Sequence, residues 1–152
     1  MRRAVVLAAA VVASWALPAS AQGPRVTSVS RAPFAQVATA LERAISDHKM
    51  ALVCHANAQR SADARGVSIT GNQVLMVFRN DFALRLQAAE PAAGFEAPIR
   101  IYVYENADGT ATVGYVPPSP IFASYANPEV KKIAAELDPI FEAIVRRTLS
   151  SR

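Results

Sequence analysis

A cysteine and a histidine stand next to each other at Cys54 and His55. Thiolate and imidazole are good ligands for zinc, copper or haem iron, so this pair is the first candidate for chemistry. It ends a short apolar run, residues 50–55, that predicts a strand. Neighbouring side chains on a strand point to opposite faces, so the pair binds one ion only if the strand bulges there. Because Cys54 would share a face with Leu52 and Met50, the pattern favours a buried, inert thiol.

His55 is the best single candidate for a ligand contact, because it lies at the strand end and is polar and titratable. The competing interpretation is a histidine satisfied by a turn carbonyl. A metal- or haem-binding protein would combine His55 with Cys54 or with a methionine. Met50 and Met76 are more simply explained as core residues, since no methionine-rich motif surrounds them.

A predicted β-hairpin over residues 98–116 carries the second group of candidates. Arg100, Tyr102 and Tyr104 alternate with apolar residues and therefore line one face of its first strand. If Tyr115 joins them from the return strand, the result is a cationic and aromatic surface for an anionic or aromatic ligand, or for a dimer interface. The alternative is that the tyrosines pack beneath a helix with their hydroxyl groups reaching solvent.

Asn80 and Glu105 offer polar groups near these candidates, although a helix cap and a surface carboxylate explain them equally well. Sequence motifs for covalent haem, redox dithiols, zinc proteases, phosphate loops and serine hydrolases are all missing. The sequence has two histidines and no recognisable arrangement of nucleophile and base. It therefore favours binding over catalysis and names no cofactor.

Apolar periodicity and capping residues predict four helices that must position these residues: 33–48, 57–65, 80–90 and 128–149. Gly66 is expected to end the second helix. Pro139 lies inside the last one, which predicts one kinked helix or two helices that meet there. The prolines at 117, 118 and 120 predict an extended connection before it.

Strands are predicted at residues 50–55 and 74–78 and in both arms of the hairpin, whose turn ends at Gly109. Residues 26–30, in the leader before the first helix, could add an edge strand. Residues 74–78 contain no polar position, which is typical of a central strand covered on both faces. Helices and strands in this order favour an α+β fold: a single compact domain with a mixed β-sheet and a central β-hairpin covered by helices.

The first 21 residues have the pattern of a secretory signal peptide. Arg2 and Arg3 precede an apolar run of residues 4–17, and Ala19-Ser20-Ala21 is a small-residue cleavage site. The apolar run is shorter than the roughly 20 residues that a membrane-spanning helix needs, so no transmembrane anchor is expected after cleavage. We therefore expect a periplasmic or secreted protein. Its predicted organisation is residues 1–21 as a signal peptide, 22–32 as a flexible leader and 33–152 as the domain.

The formal net charge of +4 falls to +2 once Arg2 and Arg3 are removed. The remaining basic residues are scattered instead of clustered on one face with aromatic residues, so nucleic acid is not an expected partner. Cys54 is the only cysteine, so no intramolecular disulfide can form.

Four segments together resemble one bacterial family, called domain of unknown function 302. They are the pattern F-x-x-V-x-x-x-L-x-x-A-I at residues 34–45, the strand ending in His55 with the Ala-rich helix after it, F-x-N at residues 78–80, and PIRIYVYENADGTATVGY at residues 98–115. The resemblance implies a compact α+β fold, a homodimer and no established activity. The chain departs from the family's usual pattern in two turns. Arg79 and Asp81 stand where glycine and proline are usual, and Glu96-Ala97-Pro98 stands where D-L-P is usual.

The sequence thus predicts an exported, non-catalytic domain for ligand binding or interaction, with a second copy of the chain and a small molecule as expected partners. Its candidate binding residues are His55, Asn80, Arg100, Tyr102, Tyr104 and Tyr115. The alternative is a periplasmic metal- or haem-binding protein that uses His55 with Cys54 or a methionine.

Overall fold

The computed structural model describes residues 25–150. The predicted signal peptide, residues 22–24 and residues 151–152 lie outside this range. The strands are β1 (Val26–Pro33), β2 (Ala51–Asn57), β3 (Asn72–Phe78), β4 (Ile99–Glu105) and β5 (Thr110–Tyr115). The α-helices are α1 (Phe34–Asp47), α2 (Ala58–Asp63), α3 (Asn80–Ala89), α4 (Pro118–Ile121) and α5 (Pro128–Ser150). A short 3-10 helix, Pro91–Glu96, follows α3. In this part of the chain, no helix combines the length and the apolar character needed to cross a membrane.

The five strands form one sheet in the order β1-β5-β4-β3-β2, with the predicted hairpin β4–β5 inside it. Gly109 closes the hairpin turn at a φ of 80°, a conformation that glycine adopts without strain. The α+β fold with a hairpin inside the sheet and helices packed on it is therefore confirmed. All four strand pairs within residues 25–150 are antiparallel, so the expected mixed pairing is replaced by a uniform one. The reason is that β2, β3 and β4 follow one another as neighbours and reverse direction at each connection.

The long helices pack on one face of this sheet. Helices α1 and α5 contact each other, and residues of α3 join them in a single apolar core with Leu75, Ile101 and Val113 of the sheet. The prediction that β3 is covered on both faces is wrong. Its side chains alternate between buried and half-buried along the whole strand, because the helices lie on one side only.

Three local predictions concern the edge strand, the proline-rich connection and the last helix at Pro139. The candidate edge strand at residues 26–30 is present as β1 and continues to Pro33, so this part of the expected flexible leader instead belongs to the sheet, where it pairs with β5. The proline-rich connection is helical instead of extended, because Pro118 occupies the first turn of α4, where proline needs no N–H partner. Ser119 donates to Asp138 of α5 from its backbone N–H (2.9 Å) and from its hydroxyl group (2.5 Å). Helix α5 runs through Pro139 as one helix.

Helices α3 and α5 are joined by Arg85, whose guanidinium donates to two carboxylates on α5. The shortest distances are 2.6 Å from Nη2 to Glu129 Oε1 and 2.6 Å from Nη1 to Glu136 Oε2. Hydrogen bonding to Arg85 holds the pKa of Glu136 below its ordinary value of 4.5. Hydrogen bonds to Glu136 and Glu129 raise the pKa of Arg85, so Arg85 and Glu136 form an ionised pair at neutral pH.

We predict that Glu136→Gln flattens the pH dependence of stability. A carboxylate with a lower pKa in the folded state stabilises the fold above its unfolded pKa, and this contribution is lost as pH falls through the folded pKa. Thermal melts followed by circular dichroism from about pH 6 to pH 2.5 should therefore show a shallower fall for the variant. Glu142→Gln is the matched control, since its pair with Arg146 is 3.5 Å long and about 70% exposed on both sides. An equal change of slope in both variants would contradict the assignment.

Position 71 must be glycine because the ring of Phe34 occupies the space that a side chain would fill. A Cβ at position 71 would overlap the Phe34 ring, which is itself buried in the core, whereas a Cβ at Gly94 would meet no heavy atom within 4 Å. We predict that Gly71→Ala lowers the free energy of unfolding by about 1–3 kcal/mol, the usual cost of overpacking. Gly94→Ala should change it by less than about 0.5 kcal/mol. Urea denaturation of both variants measures this, and equal stabilities would refute the account.

Candidate functional site

The face of the sheet opposite the helices is uncovered within the described residues, and we name it the open face. Its characteristic side chains are Val29, Val74, Met76, Arg100, Tyr102 and Tyr104. The rings of Tyr102 and Tyr104 stack with centroids 5.5 Å apart, and both residues are more than one third exposed. Arg100 is the only charged residue of this group. The side chain of Arg25 also reaches this face, because it lies 3.9 Å from the position of a Cβ at Gly114, which pairs with Tyr102. The open face is therefore an apolar and aromatic surface with more than one cation.

Tyr115 does not join this surface. It pairs across the hairpin with Ile101, faces the helices, and stacks on Phe141 of α5 with centroids 5.9 Å apart. Burial raises its pKa, with Glu142 adding to the effect. Gly114 instead lies opposite Tyr102. The expected cluster of three tyrosines is thus wrong, and so is the alternative in which Tyr102 and Tyr104 pack beneath a helix.

A β-bulge in β2 decides where Cys54 and His55 point. Leu52 pairs with Val77 and Cys54 pairs with Met76, so Val53 is the extra residue between them. The bulge moves Cys54 to the open face, where it is exposed, and the expected buried thiol is wrong. His55 pairs with Leu75 and so turns to the side that the helices cover. The bulge precedes both residues, so they still point to opposite faces and cannot bind one ion together.

The methionines do not complete a metal site around His55 either. Met50 is buried in the core, and Met76 lies opposite Cys54 on the open face. Among residues 25–150, no group of three or more histidine, cysteine, aspartate and glutamate side chains is placed to hold a metal ion.

His55 lies between two polar side chains that the sequence analysis did not single out. Its Nε2 is 2.9 Å from Oε1 of Gln73, and its Nδ1 is 3.7 Å from Oε1 of Glu42 on α1. A side-chain amide, not a turn carbonyl, is therefore its partner. The signal for Gln73 was a polar residue two positions before Leu75 on the buried face of β3, where an apolar residue would be expected.

A cleft of about 460 Å³ lies at the start of α1. We name it the Glu42–Glu105 cleft, after the two carboxylates that line it with Gln73 and Phe34. Glu105 is held in place because its Oε2 accepts the backbone N–H of Gly71 at 2.7 Å. The cleft thus combines fixed polar groups with an apolar wall on α1.

Asn80 is exposed at the first residue of α3, and α3 has no side-chain cap. The neighbouring Arg79 makes a two-pronged contact with Asp81, at 2.8 and 3.1 Å, and its guanidinium lies 4.2 Å from the centre of the Phe82 ring. The hydrogen bond from Arg79 lowers the pKa of Asp81. The two charged residues that depart from the usual family pattern therefore stabilise the start of α3 together.

A five-stranded antiparallel sheet with helices on one face and tyrosines exposed on the other defines a small α+β domain. Residues 26–148 match the family model described as "Domain of unknown function DUF302", and the chain belongs to this family. The chain is similar to the crystal structure of an uncharacterized conserved DUF302 protein from Bacillus stearothermophilus. That match has a TM-score of 0.71 and 19% identity, and covers 82% of this chain and 97% of the other. No protein with a curated description matches the chain.

Proposed function

We propose that this protein is an exported, non-catalytic interaction domain that works through the open face and that a second copy of the chain covers this face. The observation that carries the proposal is a face of the sheet that no helix within residues 25–150 covers, on which two stacked tyrosines are more than one third exposed. Export rests on the signal-peptide pattern of residues 1–21.

The composition of the open face fits the centre of a protein interface. Such centres are depleted of charge and enriched in tyrosine, methionine and arginine. Tyr102, Tyr104, Met76 and Arg100 have this composition. Val29 adds an aliphatic side chain that is 69% exposed. Contiguous apolar surface of this kind on a small domain marks a binding surface.

The size of the face also fits a second copy. Five strands about 4.8 Å apart give the face a width of roughly 20 Å, and strands that rise about 3.3 Å per residue give it a length of roughly 23 Å. Two such faces cover about 900 Å² in projection and more in accessible area, close to the roughly 1,000 Å² that a specific interface needs. A two-fold contact requires one surface to complement itself. Here Arg100 of one copy can lie against the tyrosine rings of the other.

We predict that the purified protein is a dimer and that the double variant Tyr102→Arg, Tyr104→Arg is a monomer. Two extra cations on each open face would repel across the interface and would have to be desolvated there. Size-exclusion chromatography with light scattering over a range of concentrations measures the mass. Circular dichroism checks that the variant keeps the same secondary structure and melting behaviour.

Leu84→Arg is the matched control, because Leu84 is 63% exposed on α3 and lies off the sheet. This variant should remain a dimer. A monomeric parent protein, a double variant that stays dimeric, or equal dissociation of the Leu84 variant would each contradict the proposal.

A further inference from the structure

Strand β1 forms one edge of the sheet, and its first part lacks the features that usually protect an edge. No strand lies beyond β1 among residues 25–150, so its outer backbone groups have no strand partner there. Residues 26–30 pair regularly with β5, and their sequence, VTSVS, contains no proline and no charge. Charges, prolines and bulges are the usual means of keeping an edge from pairing with another strand. The start of β1 is therefore open to a further strand.

The opposite edge of the sheet is protected. Strand β2 carries the bulge at Val53 in its middle, and a bulge interrupts pairing with an added strand. The irregularity of β1 lies instead between Ser30 and Pro33, at the end of the strand. The contrast between the two edges singles out residues 26–30 as the edge available for pairing.

An apolar groove of about 360 Å³ runs beside this part of β1, on the side of the sheet that the helices cover. Val26 of β1, Tyr115 of β5 and Val145 and Leu149 of α5 provide its apolar walls. We name residues 26–30 together with this groove the β1 edge surface. It combines unpaired backbone with apolar side chains, which is the combination that an added strand needs.

One face of α5 borders the groove and carries two opposite charges. Glu142, Val145, Arg146 and Leu149 have the spacing of a single helix face. Nη1 of Arg146 lies 3.5 Å from Oε1 of Glu142, and the two side chains are 72% and 70% exposed. An exposed pair of this kind adds little to the stability of a single chain. Both charges are thus available to a partner.

A second copy of the chain matches the β1 edge surface. A two-fold axis normal to the sheet makes two β1 strands antiparallel, which is the pairing that every strand of this sheet already uses. The same rotation makes the two α5 helices antiparallel, so Arg146 of each copy can lie against Glu142 of the other. A two-fold contact requires a surface that complements itself. One residue of each charge beside an apolar groove meets that requirement.

We infer that two copies of the chain pair through the β1 edge surface, strand against strand, so that their sheets join into one. This contact goes beyond the proposed function, because it uses the edge of the sheet and leaves the open face of each copy free. The open faces then lie on the same side of the joined sheet. Five strand residues and two helical turns form a smaller contact than the open face. The edge contact therefore forms at higher protein concentrations than the open-face dimer.

Sedimentation velocity of the Tyr102→Arg, Tyr104→Arg double variant tests the edge contact without the open face. We expect a monomer at micromolar concentration and a dimer as the concentration approaches the millimolar range. A double variant that stays monomeric throughout would overturn the inference. The parent protein should pass from dimer to tetramer over the same range. A parent that passes from monomer to dimer would refute the open-face proposal and still support the edge contact.

Exchanging the two charges locates the contact. In the double variant, Glu142→Arg and Arg146→Glu should each weaken the self-association by about fivefold or more, because like charges then meet across the two-fold axis. The two changes together should restore the affinity of the double variant to within about twofold, since opposite charges meet again. Failure of the combined exchange to restore association would contradict the inference.

Asp63→Arg is the matched control, because it makes the same change of charge at an exposed position on α2, which follows β2 at the opposite edge. This variant should leave the self-association within about twofold of the double variant. Equal weakening by Asp63→Arg and Glu142→Arg would show an effect of net charge alone and would overturn the assignment to the β1 edge surface. Circular dichroism checks that every variant keeps its secondary structure.

Discussion

Packing of the helices on one face of an antiparallel sheet is the constraint on which the rest of the structure depends. Side chains alternate between the faces of every strand. Once the helices bury Leu75, Ile101 and Val113, the residues between them must face away. This gathers Tyr102 and Tyr104 on the open face. The covered face supplies the core, so the open face can bind a partner without being needed for the packing of a single chain.

One extra residue in β2 separates two surfaces of different chemistry. Because Val53 is inserted opposite the β3 ladder, Cys54 turns to the open face and His55 turns toward Glu42 on α1. The open face is aromatic and carries cations, whereas the Glu42–Glu105 cleft is acidic. The two surfaces lie on opposite sides of the sheet, so a partner that covers one of them leaves the other accessible.

Features set by residues close in sequence could be predicted, and features set by pairing across the sheet could not. Alternation and Gly109 located the hairpin, because its register is fixed locally. The sequence of β3 does not show how many helical layers cover it, so its coverage was overestimated. Tyr115 was placed with the other tyrosines because its face depends on register. Glu42 was missed because the bulge that aims His55 at it has no local signature.

Hydroxyl-radical footprinting tests most directly whether a second copy covers the open face. The side chains to follow by mass spectrometry are Tyr102, Tyr104 and Met76, with Phe95 as an internal reference because it is 90% exposed and lies off the sheet. Coverage by a second copy predicts that oxidation of the three open-face residues falls several-fold from dilute to concentrated protein, while oxidation of Phe95 is unchanged. Oxidation of the open-face residues that does not depend on protein concentration would contradict it.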